Sequence, residues 1–251
     1  IRRPPRSTLD RSSAASDVYK RQHIAVHSMK DVPARVNDGF LISSIMERED
    51  PCDVFISNSY KSIEEISNGT IGSSSPRRQA MIKSLGKNID VVEMRGNINT
   101  RLKKLKNSNI DGIILAKAGL RRMEMDNLIT QNLSVESFVP SPGQGVLCIE
   151  CLSQHSEIMS KIRRIVHLNT EICVSAERIF AAQMDGDCMS PIGAHATIQK
   201  DLISITGFVA TADGARYIRN KIEGNKNNYK DLSTKLSNLF IKMGSKGMLK
   251  C

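Results

Sequence analysis

From His23 onward, short runs of β-branched and aliphatic residues alternate with stretches whose apolar positions recur at helical spacing. The strand-like runs are HIAVHS, FLISSIM, DVFIS, TIGSSS, IDVVEM and GIILA, and helical patterns lie near Lys61 to Ser67, from Pro76 and from Ile98. Such alternation predicts an α/β fold with a mainly parallel sheet and helices on its faces. Two proline-bearing joints, Glu49-Asp50-Pro51 and Pro140-Ser141-Pro142-Gly143, bracket the stretch from Cys52 to Val139. The bracketed stretch, residues 50–140 with its margins, reads as an inserted domain on two linkers. Past the second joint, GVLCIE and an amphipathic helix (Ile158, Ile162, Ile165, Val166) complete the domain that residues 23–49 begin, so 23–49 and 143–166 form one discontinuous unit. Two α/β domains joined in this way place a cleft between them, where ligands commonly bind.

Over 167–251 the pattern changes to helix, strands, helix. Thr211-Ala212-Asp213-Gly214 separates the runs Ile203 to Ala210 and Ala215 to Ile222, a hairpin signal. A final helix is expected to bury Leu232, Leu236, Leu239, Phe240 and Met243. This third domain reads as small and α+β.

Composition narrows the classes. With 251 residues, 40% apolar and 25% charged, the chain is long enough to bury several cores. It has no apolar run of membrane-spanning length, and six scattered cysteines are too few for a disulfide scaffold, which points to reduced thiols in the cytoplasm. The net charge of +10 suits an anionic ligand. Residues 1–22 carry six basic and two acidic groups and show no periodicity; they read as a foreign or disordered segment, and without them 30 basic groups face 24 acidic ones. Aromatic residues make up 4% with no Trp, which disfavours a nucleic-acid groove lined by stacking rings and leaves that alternative resting on net charge.

The richest chemistry lies in Gly72-Ser73-Ser74-Ser75-Pro76-Arg77-Arg78, which follows a strand and opens a helix. Ser75 suits an N-cap, Pro76 the first turn, and Gly86 the stop. Backbone N–H groups, hydroxyls and two guanidinium groups at one helix start are suited to a phosphate or carboxylate. Arg95 and Arg101 flank the next helix start, and Arg121-Arg122 follow the next strand, so the three groups are expected to face one crevice and to call for a polyanion. His27-Ser28-Met29-Lys30-Asp31-Val32-Pro33 sends Lys30 and Asp31 toward the same crevice, where a lone carboxylate can stabilise a developing positive charge or move a proton. His23 and His27 lie in a strand pattern, which disfavours a metal site, and Cys148-Ile149-Glu150-Cys151 reads as alternating core thiols. Cys188, in a Gly/Pro/Asp loop between a helix and a strand, is the thiol best placed for exposure.

Taken together and in order, HSMKDVP (27–33), EREDP (47–51), GSSSPRRQ (72–79), MRGNINTRL (94–102), ILAKAGLRR (114–122), PGQGVLCIEC (142–151) and GDCMSPIGA (186–194) resemble the porphobilinogen deaminases, also called hydroxymethylbilane synthases. The resemblance implies two domains like periplasmic binding proteins plus a small third one. It implies a cytoplasmic, monomeric transferase that joins four porphobilinogen molecules head to tail with loss of ammonia, primed by a dipyrromethane cofactor on a thioether to Cys188. Asp31 falls on the catalytic aspartate, which stabilises a cationic azafulvene-like intermediate and the pyrrole nitrogens. Ser28, Lys30, Ser74, Arg77 and Arg78 fall on cofactor contacts, and Ser73, Arg95, Arg101, Arg122 and Gln144 on substrate contacts. No metal, membrane or nucleic-acid partner is implied. Three departures stand out. The family's opening strand and mobile Gly-Lys-Gly-type loop are not visible before His23, so part of domain 1 is expected to be lacking and the chain to be inactive by itself. Gly-Asp-Cys replaces the more usual Gly-Gly-Cys, and Pro76 stands where Leu is frequent. The rival reading is a non-catalytic polycarboxylate-binding module.

Overall fold

The computed structural model describes residues 23–33, 36, 38–184 and 190–249. Residues 1–22 and Cys188 therefore lie outside the described residues. The strands in chain order are β1 (Ile24–Ser28), β2 (Phe40–Ile45), β3 (Asp53–Ile56), β4 (Asn68–Gly72), β5 (Asn88–Val92), β6 (Gly112–Ala116), β7 (Gln131–Asn132), β8 (Leu147–Leu152), β9 (Ile192–Gln199), β10 (Leu202–Ala210) and β11 (Tyr217–Asn225). The helices are α1 (Pro76–Lys83), α2 (Ile98–Asn107), α3 (Lys117–Arg121), α4 (Ser156–Ile162), α5 (Leu168–Gln183), α6 (Tyr229–Lys242) and α7 (Ser245–Met248).

Three sheets result: β1-β8-β2, β5-β4-β6-β3-β7 and β11-β10-β9. The first and third are wholly antiparallel, and among the described residues only β4–β5 and β4–β6 pair in parallel, which corrects the expectation of a mainly parallel sheet. The linkers explain the difference. β2 runs into the first linker and β8 runs out of the second, and the two linkers lie side by side, with Glu49 N–H donating to the Gly145 carbonyl (3.0 Å) and Met46 N–H to that of Leu147 (3.0 Å). A chain that leaves and returns at one edge must reverse direction. For the same reason β3, leaving the linker, runs antiparallel to β6, with Asp53 opposite Ala116.

Local signals held where local chemistry decides. Ser75 caps α1, its side chain accepting from Arg78 N–H, with Pro76 in the first turn. The pattern near Lys61 to Ser67 condenses to a single 3₁₀ turn, Ile63–Glu65, because Ile63 and Ile66 are drawn into the core and the chain re-enters the sheet at Asn68. The helix expected around Ile158 to Val166 ends at Ile162, passes into a 3₁₀ turn and leaves Ile165 exposed. α6 buries Leu232, Leu236 and Phe240, whereas Leu239 and Met243 are 40% and 51% exposed, correcting the expected stripe. Ser233 and Ser237, both fully buried, rotate the inner face toward the positions next to 232 and 236; Ser233 Oγ donates to the Ala176 carbonyl and lets α6 close on α5.

Four buried clusters form among the described residues, and two of them cross the boundaries expected from the sequence. Phe208 and Ala210 of β10 join Phe55, Ile71, Ile82 and Phe138 in the inserted domain, and Val174 of α5 joins Met29, Ile45, Val146 and Cys148 of the first sheet. The hairpin tip beyond β10 rests on α1, and Gly214 (φ +69°) approaches the Ala80 carbonyl too closely for a side chain.

Candidate active site

Strand direction assembles the site. Because β4, β5 and β6 are parallel and β3 opposes β6, the ends of β4 at Gly72 and β6 at Ala116 meet the start of β3 at Asp53 on the edge that faces the linkers. β1 also ends there, since Ser28 pairs with Leu147. The loops that carry the arginine motifs and the turn Met29–Asp31 therefore gather on one edge.

At its centre is Asp53, fully buried, a carboxylate that opens a four-residue buried strand. Arg77 Nη2 donates to its Oδ2 (2.8 Å), and Arg78 Nη2 and Gln144 Nε2 donate to its Oδ1 (2.7 and 2.8 Å). Burial alone would raise this carboxyl's pKa, but the two guanidinium groups outweigh it and hold the group far below the usual carboxylate range. Arg77 is almost wholly enclosed and spends its remaining donors on the Val139 carbonyl (2.8 Å) and Ser141 Oγ (3.1 Å), both at the second linker. Gln144 donates as well to the Pro51 carbonyl of the first linker (2.6 Å). Arg77 and Gln144, expected as ligand contacts, thus sit in the frame that ties both linkers to β3. Ser73, also expected as a contact, is buried; its N–H donates to the Val92 carbonyl (2.9 Å) and its Oγ accepts from Ser75 N–H (3.3 Å).

Arg78 is different. Nη1 donates to the Ile114 carbonyl (3.1 Å), while Nε is buried and, like Gln144 Oε1, has no hydrogen-bond partner among the described residues. Lys30 lies close enough for burial, and then repulsion from Arg78, to lower its pKa, and it forms no salt bridge among the described residues. Arg101 is likewise lowered, by burial and by Arg78; its Nη2 donates to Ser74 Oγ (3.1 Å) and its Nε to the Gly96 carbonyl (2.8 Å). Three cations, Lys30, Arg77 and Arg78, thus lie about one buried carboxylate, and Arg101 with Ser74 lies on the side of Arg78. An excess of partly desolvated positive charge with an orphaned buried donor is a place for acidic groups from outside. Asp31 is exposed at the end of the adjacent turn, next to Lys30, and Ser28 is half-buried at the end of β1. Arg122 makes only a long contact, Nη2 to the Gly145 carbonyl at 3.4 Å. Arg95 stands apart: its side chain is 73% exposed and its Nε donates to Glu93 (2.7 Å).

Sequence reasoning missed Asp53 and two pairs beside it, Lys117 with Asp50 (2.7 Å) and Arg48 with Glu177 (2.8 Å). The available signal for Asp53 was a lone charge opening the otherwise apolar run Val54-Phe55-Ile56.

Paired linkers and an edge crowded with cations, beside a turn that carries an exposed carboxylate, make an arrangement suited to acidic ligands. Residues 16–160 match the family model described as porphobilinogen deaminase, dipyromethane cofactor binding domain, and residues 171–242 match its C-terminal domain. A porphobilinogen deaminase of Clostridium botulinum (strain Kyoto / Type A2) is 42% identical over 224 residues, 89% of this chain and 76% of the relative. One from Francisella philomiragia is 43% identical over 203 residues, 80% of this chain and 67% of the relative. Among solved structures, a TRAP periplasmic solute binding protein from Desulfovibrio salexigens aligns with 64% of this chain and 59% of its own at 9% identity, with a TM-score of only 0.39. The chain belongs to the porphobilinogen deaminase family, transferases of tetrapyrrole biosynthesis whose cofactor is dipyrromethane.

Proposed function

We propose that this chain serves the condensation of four porphobilinogen molecules head to tail, with ammonia released at each joining, onto a dipyrromethane held as a thioether on Cys188, and that water then cleaves the bond between the new tetrapyrrole and the dipyrromethane to free linear hydroxymethylbilane. The observation that supports this most is the convergence of Lys30 and Arg101 on Arg78, because porphobilinogen and every chain built from it carry acetate and propionate groups. The orphaned Nε of Arg78 and the unpaired Lys30 fit a dipyrrole bearing such carboxylates. When bound, the dipyrromethane supplies the free pyrrole carbon to which the first unit is joined.

The chain's own residues divide the work. Ser28, Lys30, Ser74, Arg78 and Arg101 hold carboxylates, and each charge-assisted hydrogen bond contributes about 1.5–3 kcal/mol. Arg77, Gln144 and Ser73 keep that set in place, and Arg95 and Arg122 contact later units from more exposed positions. The Asp31 carboxylate would offset the charge on the carbon that becomes positive as ammonia departs with the electron pair of the breaking carbon–nitrogen bond. The proton displaced when the new carbon–carbon bond forms leaves through Asp31 to solvent. In full-length protein, Asp31→Ala is expected to lower turnover more than a hundredfold with the fold intact, since an aimed electrostatic group is worth about 3 kcal/mol.

The protein is expected to act in the cytoplasm as a monomer, which sedimentation checks; Cys52, Cys148, Cys151 and Cys173 are free thiols, in keeping with a reducing compartment. No helix among the described residues is long and apolar enough to cross a membrane. Denatured intact mass tests the reading: it is expected to show two pyrrole units on the peptide containing Cys188. An unmodified chain that binds porphobilinogen without consuming it would leave a non-catalytic polycarboxylate-binding module instead.

A further inference from the structure

We infer that Asp53 is the positioning residue of the anion site, an internal carboxylate that fixes how Arg78 meets incoming acids and links that presentation to both linkers. The inference rests on the proposed function for its substrate, though not for its geometry. Asp53 is wholly buried, and both of its oxygens are used, Oδ2 by Arg77 and Oδ1 by Arg78 and Gln144. Arg78 has three nitrogens: Ile114 and Asp53 occupy Nη1 and Nη2, leaving Nε as the donor without a partner. A guanidinium is a rigid planar fork, so pinning one edge determines where the remaining donor lies. Without Asp53, Arg78 would be held by the single Ile114 carbonyl and repelled by Arg77. The binding edge would then turn away from the place it now holds.

The second link runs through Gln144. It lies on the second linker and donates both to Asp53 and to the Pro51 carbonyl on the first, while Arg77 reaches from Asp53 to Val139 and Ser141. Asp53 is thus the point at which α1 and both linkers share one acceptor. A change in the angle between the domains has to alter these hydrogen bonds, and with them the setting of Arg78. Asp53 spends its oxygens on two arginines and a glutamine, so the effect expected is on binding rather than on the chemical step.

The test uses the full chain with Asp53→Ala, in chloride buffer and in buffer containing formate, a single carboxylate able to occupy the space vacated between Arg77 and Arg78. Porphobilinogen binding is read by equilibrium dialysis, and stability by thermal melting. Expected are a melting point lowered by several degrees and at least tenfold weaker porphobilinogen binding, both recovered toward wild type by formate and not by formamide. Porphobilinogen binding within twofold of wild type in the folded variant would overturn the inference and leave Asp53 as a fold residue. Recovery by formamide as well as by formate would also overturn it, because volume rather than charge would then be what matters. Should Asp53→Ala fold in neither buffer, Asp53→Asn keeps the volume and one acceptor oxygen; tenfold weaker binding there supports the inference and unchanged binding overturns it. If the wild-type chain takes up no porphobilinogen while formate still restores the stability of Asp53→Ala, the substrate reading falls and the anchoring of the two arginines stands.

Discussion

Glu177 shows how much one side chain can hold. It is fully buried on α5, and its oxygens accept from Arg48 Nη2 (2.9 Å), from Gly143 N–H (2.7 Å) and from Ala196 N–H (2.8 Å), with His195 Nδ1 3.7 Å away. Helix, both linkers and β9 therefore meet at one carboxylate. Burial favours its neutral form, but Arg48 and the hydrogen bonds prevail and bring its pKa down from 4.5 to about 2. The folded value lies below the unfolded one, so the stabilisation is fully present above pH 4.5 and is lost as pH falls toward 2. Glu177→Gln is expected to cost about 3–5 kcal/mol at neutral pH, because Arg48 is left buried without its charge partner. Denaturant melts at several pH values check this: the variant's stability should vary less than wild type's over that acid range. Arg101 and Arg95 make a contrasting pair. Arg101→Leu is expected to weaken porphobilinogen binding about tenfold or more, through loss of a contact worth 1.5–3 kcal/mol. Arg95→Leu, which removes a solvent-exposed pair, should change stability by no more than about 0.5 kcal/mol. Calorimetric titration and melting together separate the two.

Among the elements, what was legible in the sequence was local. Ser75-Pro76 announces the start of α1 because the cap and first turn are made by neighbouring residues, and Gly86 stops it with φ +67° for the same reason. The Asp213-Gly214 turn is legible too, although the loop is longer than a two-residue hairpin, as Ala210 pairs with Tyr217. Strand direction was not legible, because a run such as DVFI reads alike in either sense. The antiparallel course of β3 and β8 follows from linkers whose adjacency joins Glu49 to Gly145, far apart in the chain. The partners of Asp53 were hidden similarly, at separations of 24, 25 and 91 residues. The exposure of Leu239 was hidden because helical spacing permits several faces, and Ser233 and Ser237 chose among them by fitting against α5. Gly145 offers a test at this scale. It has φ +84°, and a Cβ there would lie 2.3 Å from the Glu49 carbonyl oxygen. Gly145→Ala should push the linkers apart and cost about 1–3 kcal/mol, measured by chemical denaturation.

Across the whole molecule, the core boundaries do not coincide with the domain boundaries. Phe208 extends from the third domain into the core of the inserted one, and its ring stacks on Tyr217 with centroids 5.9 Å apart. The described part of the protein should therefore melt in one transition. Phe208→Ala, a cavity costing about 3–5 kcal/mol, is expected to split or broaden it, which differential calorimetry reads directly.

The side-by-side linkers also close the first sheet on itself, although Phe208 and Ala210 keep the stretch between the linkers packed against β10. Ile45 and Cys148 are already paired across β2 and β8, and Met46 N–H already donates to Leu147. If the chain were spliced from Met46 to Leu147 through a tight reverse turn, those two strands would become an ordinary β-hairpin, with their present register unchanged. Insertion and excision at this point are geometrically equivalent. In that sense the molecule is a hairpin protein whose turn has been replaced by a domain, and the cationic edge is the surface that replacement placed over the hairpin's end.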